Sequence, residues 1–194
     1  MNAAKRRAPV KASATKRAPA KATAKTRAPA KASAKKRAAA APVVVRVSTQ
    51  GGPFSDASSA VVRRRAEKML THLELGGTEL SVSLVDDATI HGLNRTWRHK
   101  DKPTDVLAFP LGEGEAVRPE GGLLGDVIVS VETARRQAAK RRRPLLDELT
   151  MLLAHGLLHL VGYDHQSDAQ EEEMTALTRK LEAVASARRP VPGG

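Results

Sequence analysis

The chain has 194 residues, enough for one domain with a sizeable core but not for two large ones. It contains no cysteine, so disulfides and thiolate metal sites are excluded, and any metal must be held by histidine, aspartate or glutamate. The formal net charge of +12 is uneven, because residues 1–42 hold 13 of the 33 lysines and arginines and no acidic residue, leaving 20 basic against 21 acidic side chains elsewhere.

Residues 1–42 form a repeat whose copies begin at Arg7, Arg17 and Arg27, followed by a degenerate copy at Arg37. Lysine, alanine, proline and small hydroxyl residues cannot bury enough apolar surface to offset chain entropy, so we expect a disordered basic tail. The favoured interpretation is an arm that contacts RNA or another polyanion through its charge. A neutral solubilising extension and an organellar transit peptide are the alternatives.

From residue 43 onward the sequence predicts alternating strands and helices. A β-branched run predicts a strand at 43–48, and Ser55 or Asp56 is expected to cap a helix that runs to about Leu75 and ends at Gly76 and Gly77. The later predicted elements are a strand at 79–85, a helix capped by Asp86 or Asp87 that runs to residue 98, strands at 105–109 and 123–130, and helices at 131–142, 145–160 and 167–187.

This order predicts an α+β fold with a mixed, roughly four-stranded β-sheet flanked by helices. We expect one domain at 43–187 and a frayed C-terminus at 188–194. No apolar run approaches the ~20 residues that cross a bilayer, and the N-terminus lacks the apolar block of a secretory signal. We therefore expect no membrane partner and a cytoplasmic location, or an organellar one if residues 1–42 are a transit peptide.

The stretch HGLLHLVGYDH at 155–165 has the spacing of a metal site. His155 and His159 lie four residues apart on one face of the predicted helix, and Gly162 permits a reversal that can bring His165 toward them. Three neutral imidazoles leave one of the four tetrahedral positions of zinc open, which is the pattern of a catalytic site. The sequence therefore predicts one Zn²⁺ per chain, on the helix and the turn after it.

The residue after the first histidine is Gly156, where a zinc protease with this spacing carries a glutamate. Peptide hydrolysis by that mechanism is therefore disfavoured. An anionic substrate could supply its own oxygen to help with the proton and would favour nearby cations, which points to phosphodiesters. Asp164 either orients a ligand imidazole by accepting a hydrogen bond from it or stabilises the turn.

Two stretches together, HGLLHLVGYDH and LNRTWRHKDKPTDVLAFP at 93–110, with GDVIVS at 125–130, closely resemble the YbeY family of endoribonucleases. The resemblance covers residues 43–187. It implies a mixed sheet flanked by helices, zinc held by the three motif histidines, and an essential arginine that falls on Arg98. It also implies action on ribosomal RNA and the small subunit, in maturation of the 16S rRNA 3′ end and in ribosome quality control.

Several roles around this arginine stay open at the level of sequence. Arg98 offers a planar, permanently charged fork for a scissile phosphate, or it pairs with Asp101 or Asp105. Lys100 and Lys102 either bind the same RNA or lie in a solvated turn. Thr104 and Asp105 are expected to fix the loop geometry. The basic run at 134–143 is either a solvated helix face or a further phosphate contact.

Two other functions are compatible with the sequence. One is a metal-dependent hydrolase of another substrate, including peptides, with a glutamate such as Glu148 as the base. The other is a ribosome-assembly factor in which zinc is mainly structural.

Overall fold

The computed structural model describes residues 41–111, 122–163 and 167–187. Within these ranges strands and helices alternate at first, and helices gather at the end. In chain order the elements are β1 (Val44–Gln50), α1 (Ser59–His72), β2 (Thr78–Val85), α2 (Asp87–Arg98), β3 (Val106–Pro110), β4 (Gly122–Ser130), α3 (Val131–Arg141), α4 (Leu145–Leu160) and α5 (Asp168–Ser186).

The strands of the described ranges form one mixed sheet in the order β1-β2-β4-β3. β1 pairs with β2 and β2 pairs with β4 in parallel, whereas β3 runs antiparallel to β4 at the edge. The parallel pairs require crossover connections, which contain α1 between β1 and β2 and α2 between β2 and β4. The predicted α+β class, with a four-stranded mixed sheet flanked by helices, is confirmed.

The start of α1 differs from the prediction. The helix begins at Ser59 and not directly after Ser55 or Asp56. The Asp56 carboxylate instead accepts two hydrogen bonds from Arg135, at 2.9 and 3.0 Å. The N-cap position of the helix is Ser58, so the predicted cap was wrong.

The end of α1 also differs from the prediction, because a glutamate reverses the chain before the glycine pair. Glu74 has a φ of 58°, and the amide of Leu75 donates to the Leu70 carbonyl at 3.0 Å. This hydrogen bond joins the residue after the reversal to the last turn of the helix, as in a Schellman motif. The helix therefore ends at His72, before Gly76 and Gly77.

Apolar clusters cover both faces of the sheet. The larger cluster includes Leu84 and Leu157 and contains residues of α1, α4 and α5, whereas the smaller one joins Val85, Ile90 and Leu107 beneath α2. Consecutive strand residues such as Leu84 and Val85 point to opposite faces, so the two clusters lie on opposite sides. No helix within the described ranges combines the length and apolarity needed to cross a bilayer.

Helix α4 lies unusually close to the sheet at Gly156. A β-carbon built at Gly156 would come within 2.8 Å of Val127 Cγ1 and 3.2 Å of Val106 Cγ2. Real β-carbon contacts of 2.8 Å essentially do not occur, so only glycine permits this separation between α4 and strands β3 and β4. The position that a protease would fill with glutamate is therefore packed against two valines.

Substitution of Gly156 by alanine tests this close approach. Overpacking of a filled core costs about 1–3 kcal/mol, and the better helix propensity of alanine returns about 1 kcal/mol. We expect Gly156→Ala to lower the free energy of unfolding by up to roughly 2 kcal/mol, measured by urea denaturation.

The matched control is Gly92→Ala in α2, because nothing lies within 4 Å of a β-carbon built there. This variant should be more stable than the wild type by roughly 0.5–1 kcal/mol. Equal stabilisation by both substitutions would show that α4 is not held this close to the sheet.

Candidate functional site

The histidine pair lies on the last two turns of α4. The rings of His155 and His159 have centroids 4.8 Å apart and are nearly perpendicular, at 89°. Both side chains are half-buried, whereas neighbouring Leu157 and Leu158 are fully buried in the core. The four-residue spacing therefore places the two imidazoles together at the edge of the core, as the sequence predicts.

The helix ends with the reversal predicted at Gly162. This residue has a φ of 92°, its amide donates to the His159 carbonyl at 3.1 Å, and the Tyr163 amide donates to the Leu158 carbonyl at 3.0 Å. These are the two hydrogen bonds of a Schellman motif. His165 and Asp164, the predicted third ligand and its neighbour, lie outside the described residues and stay predictions.

The tautomer of His159 is set by the same turn. Its Nδ1 lies 3.2 Å from the Tyr163 carbonyl oxygen, which can only accept a hydrogen bond. In the neutral imidazole, Nδ1 therefore carries the hydrogen and Nε2 keeps the lone pair that a metal ion requires. The donor chemistry of the pair fits zinc, although no group of three potential ligands forms among residues 41–111, 122–163 and 167–187 alone.

Arg98 is the last residue of α2. That helix is capped by Asp86, whose side chain accepts from the Thr89 amide at 2.8 Å, as predicted. The Nη2 of Arg98 lies 3.4 Å from the Ala108 carbonyl oxygen on β3. This contact holds the Arg98 guanidinium next to β3, the edge strand, which α4 also approaches.

The alternative ion pairs for Arg98 are not formed. Asp101 pairs with His91 at 2.7 Å. Asp105 accepts hydrogen bonds from the Val106 amide at 2.9 Å and from Gln137 Nε2 at 3.0 Å. In the described part of the chain, Arg98 therefore has no carboxylate partner.

The loop after α2 carries the two predicted lysines. Buried Asn94 holds this loop at both ends, because its side chain donates to the Lys102 carbonyl at 2.7 Å and its carbonyl accepts from the Lys100 amide at 3.3 Å. Thr104 Oγ1 lies 3.2 Å from Asp105 Oδ1, which agrees with the predicted role of these residues in loop geometry. Both lysine side chains are exposed.

These elements enclose one open groove of about 900 Å³. The predicted residues that line it together are Arg98, Lys100, Lys102, His155 and His159. β3 contributes Val106 and Ala108 to its wall. Residues from α2, the following loop and α4 thus meet around the edge strand, on a surface that can receive an anion.

One cation of the groove was not singled out individually by sequence reasoning. Arg141, at the end of α3, lines the groove and forms an ion pair with Glu148, whose side chain is fully buried. The basic run at 134–143 was visible in the sequence. Which of its members faces the groove depends on the packing of α3 against α4, which the sequence does not show.

Glu148 is poorly placed to act as the base of a peptide hydrolase. It contacts two arginines, Arg141 and Arg143, and lies seven residues before His155 on α4. Seven residues correspond to about 10 Å of helical rise. This rise is long for a hydrogen bond between the Glu148 carboxylate and a substrate atom held at the histidines. The role considered for it from sequence is therefore disfavoured.

Together, the fold and the groove define an α+β protein in which a histidine pair suited to a metal ion shares a surface with several cations. Comparison with known proteins is consistent with this class. The family model described as Endoribonuclease YbeY matches residues 48–185. The chain belongs to the YbeY family, whose name denotes enzymes that cleave RNA internally.

Individual relatives carry the same name. A protein from Myxococcus xanthus is 52% identical over 116 residues, which cover 60% of this chain and 40% of that relative. One from Persephonella marina is 44% identical over 113 residues, or 58% of this chain and 73% of that relative. The chain therefore matches less than half of the first relative's own length.

A solved structure has a similar fold. The solution structure of a Thermotoga maritima protein is 30% identical, with a TM-score of 0.52, and the match covers 72% of this chain and 89% of that one. The similarity extends over most of the shorter protein. It supports the fold assignment.

The buried carboxylate gives stability a specific pH dependence. Burial raises the pKa of Glu148, and Arg141 and Arg143 lower it by less. Just above the ordinary glutamate pKa of about 4.3, the folded protein therefore holds a proton that the unfolded chain has released. The stabilisation that Glu148 contributes is fully present below the ordinary glutamate pKa. It is lost as the pH rises through the raised pKa of the folded state.

We expect wild type to lose stability relative to Glu148→Gln as the pH rises from 4 toward neutrality. Urea denaturation of both proteins across this range measures the difference. A difference that stays constant, or that changes in the opposite direction, would contradict a raised pKa.

Proposed function

We propose that this protein is a zinc-dependent endoribonuclease that cleaves single-stranded RNA in ribosomal RNA processing. The observation that carries the proposal is the shared groove, in which His155 and His159 face the same space as Arg98. Membership of the YbeY family supports the reaction class. The specific steps that we propose are maturation of the 16S rRNA 3′ end and quality control of ribosomes, with the small subunit as partner.

The charges of the groove favour a phosphodiester over a peptide. Arg98, Lys100 and Lys102 supply three cations, and Asp105 is the one carboxylate among the described lining residues. Both Asp105 oxygens already accept hydrogen bonds from protein N–H groups. A polyanionic strand therefore meets donors and positive charge along this surface.

Zinc would be held by His155, His159 and His165. When bound, it supplies a Lewis acid that stabilises developing negative charge on a phosphoryl oxygen. The Tyr163 carbonyl holds the His159 ring in the tautomer that presents Nε2. As ligands, the three imidazoles are occupied by the metal and do not serve as general bases.

Arg98 is proposed to bind the scissile phosphate. Its guanidinium keeps its charge at all relevant pH values and offers paired N–H groups that match two phosphoryl oxygens. The contact with the Ala108 carbonyl orients it, and the absence of a carboxylate partner in the described region leaves its charge uncompensated. Such a group stabilises the transition state more than the ground state, because negative charge grows on the phosphoryl group.

The remaining proposals concern the tail and the compartment. Residues 1–42 carry 13 positive charges and no negative one, so we propose that they contact RNA or another polyanion without reading its sequence. We propose a cytoplasmic location, where ribosomes are assembled.

Removal of a metal ligand should reduce zinc and cleavage together. His155→Ala or His159→Ala should lose most bound zinc and reduce cleavage of single-stranded RNA by at least about 100-fold, more than loss of a residue that only hydrogen-bonds to a metal ligand. Zinc content is measured by elemental analysis and cleavage with a labelled RNA, with and without chelator. Casein serves as the alternative substrate, and zinc-dependent proteolysis without RNA cleavage would overturn the proposal.

Arg98→Ala should separate zinc binding from RNA cleavage. We expect it to retain zinc but to lower the cleavage rate roughly 100-fold, as for removal of one transition-state donor. The matched control is Arg95→Ala, which removes an exposed arginine of the same helix that does not line the groove. Normal cleavage by Arg98→Ala would exclude the assigned role.

A further inference from the structure

A fully buried carboxylate lies next to the groove, and the proposed chemistry does not use it. Glu148 Oε1 accepts a hydrogen bond from Arg141 Nη1, whereas Oε2 is 3.5 Å from Arg143 Nε and has no hydrogen-bond partner. Burial of a charge is unfavourable unless it is paired and hydrogen-bonded. The chain nevertheless keeps this charge directly beneath an arginine that lines the groove.

Arg141 connects the buried charge to the groove. Its side chain is 50% exposed although one nitrogen is held by Glu148. Glu148 is the one hydrogen-bond partner that it has within the described ranges. A guanidinium has five N–H donors, so several are left to point into the groove.

Three other arginines of the same run are engaged elsewhere. Arg135 pairs with Asp56, and Arg136 pairs with Asp87. Arg143 pairs with Glu182 and is not part of the groove lining. Among the described residues of the run, Arg141 is thus the cation that faces the groove.

Arg141 also lies on a different wall from the other groove cations. Arg98, Lys100 and Lys102 come from α2 and the loop after it, whereas Arg141 comes from the end of α3. Its partner Glu148 is about 10 Å of helical rise from His155, by the seven residues between them. A strand of linked phosphates that runs along the groove can therefore contact both Arg141 and the histidine pair.

We propose that Arg141 binds a backbone phosphate of single-stranded RNA other than the scissile one, and that buried Glu148 is the residue that positions it. This inference rests on the proposed function and specifies how the same groove holds its substrate. A fixed guanidinium loses less conformational freedom when it binds a phosphate than a free surface arginine would. Glu148 thus acts through Arg141 and does not contact RNA.

The test compares neighbouring arginines in the full-length, zinc-loaded protein. Binding of a fluorescein-labelled oligouridylate is measured by fluorescence anisotropy over a salt series. Arg141→Gln should weaken binding about tenfold at low salt and reduce the slope of log K against log salt by about 0.7, the value for one lost phosphate contact on a single strand.

The matched control is Arg142→Gln, which removes the adjacent exposed arginine that does not line the groove. It should change neither affinity nor slope, and the basic tail contributes equally to all variants. Wild-type affinity and slope in folded Arg141→Gln would overturn the inference. If that variant does not fold, the double variant with Glu148→Gln removes both charges together and is measured instead.

Glu148→Gln tests the positioning role. Arg141 keeps its charge in this variant, so the salt slope should stay at the wild-type value while KM for RNA cleavage rises several-fold and kcat is unchanged. A merely structural carboxylate would alter thermal stability and leave KM as it is, which would overturn this part.

The outcomes separate this inference from the proposed function. If the wild type binds RNA in an Arg141-dependent way but does not cleave it, the proposed function fails and the phosphate contact stands. If the wild type cleaves RNA with zinc and Arg141→Gln binds RNA as tightly as the wild type, the proposed function stands and the phosphate contact fails.

Discussion

The candidate site depends on how closely α4 approaches the sheet at Gly156. The helix carries both described histidines, and its separation from β3 and β4 is set by the absence of a side chain facing Val127 and Val106. Because β3 is also the strand whose Ala108 carbonyl receives Arg98, this one contact fixes the distance between the imidazoles and the guanidinium. A larger residue would move the helix and thereby change the site as well as the core.

Local sequence signals predict most of the fold for identifiable reasons. Alternating apolar residues define β2, and the side chain of Asp86 caps α2 through an interaction only three residues long. The Gly162 reversal is equally local, because its hydrogen bonds stay within the last turn of α4. Such features are readable because the interacting groups are neighbours in the chain.

The features that sequence reasoning missed depend on distant partners. Asp56 was expected to cap α1, but it pairs with Arg135 from another helix. The link between Arg141 and Glu148 likewise depends on how α3 packs on α4, and it decides which cation of a basic run enters the groove. His165 lies outside the described residues, so its place in the metal site is a prediction from the spacing and the family alone.

The carboxylates of this groove explain why its chemistry favours an anionic substrate. Position 156 cannot carry one, because its side chain would meet the valines of the sheet. Glu148 is buried against two arginines, and Asp105 is held by the Val106 amide and by Gln137. Since position 156 carries no side chain and Glu148 and Asp105 are already engaged, the groove presents cations and imidazoles to what enters it, and a phosphodiester is a ligand that matches such a surface.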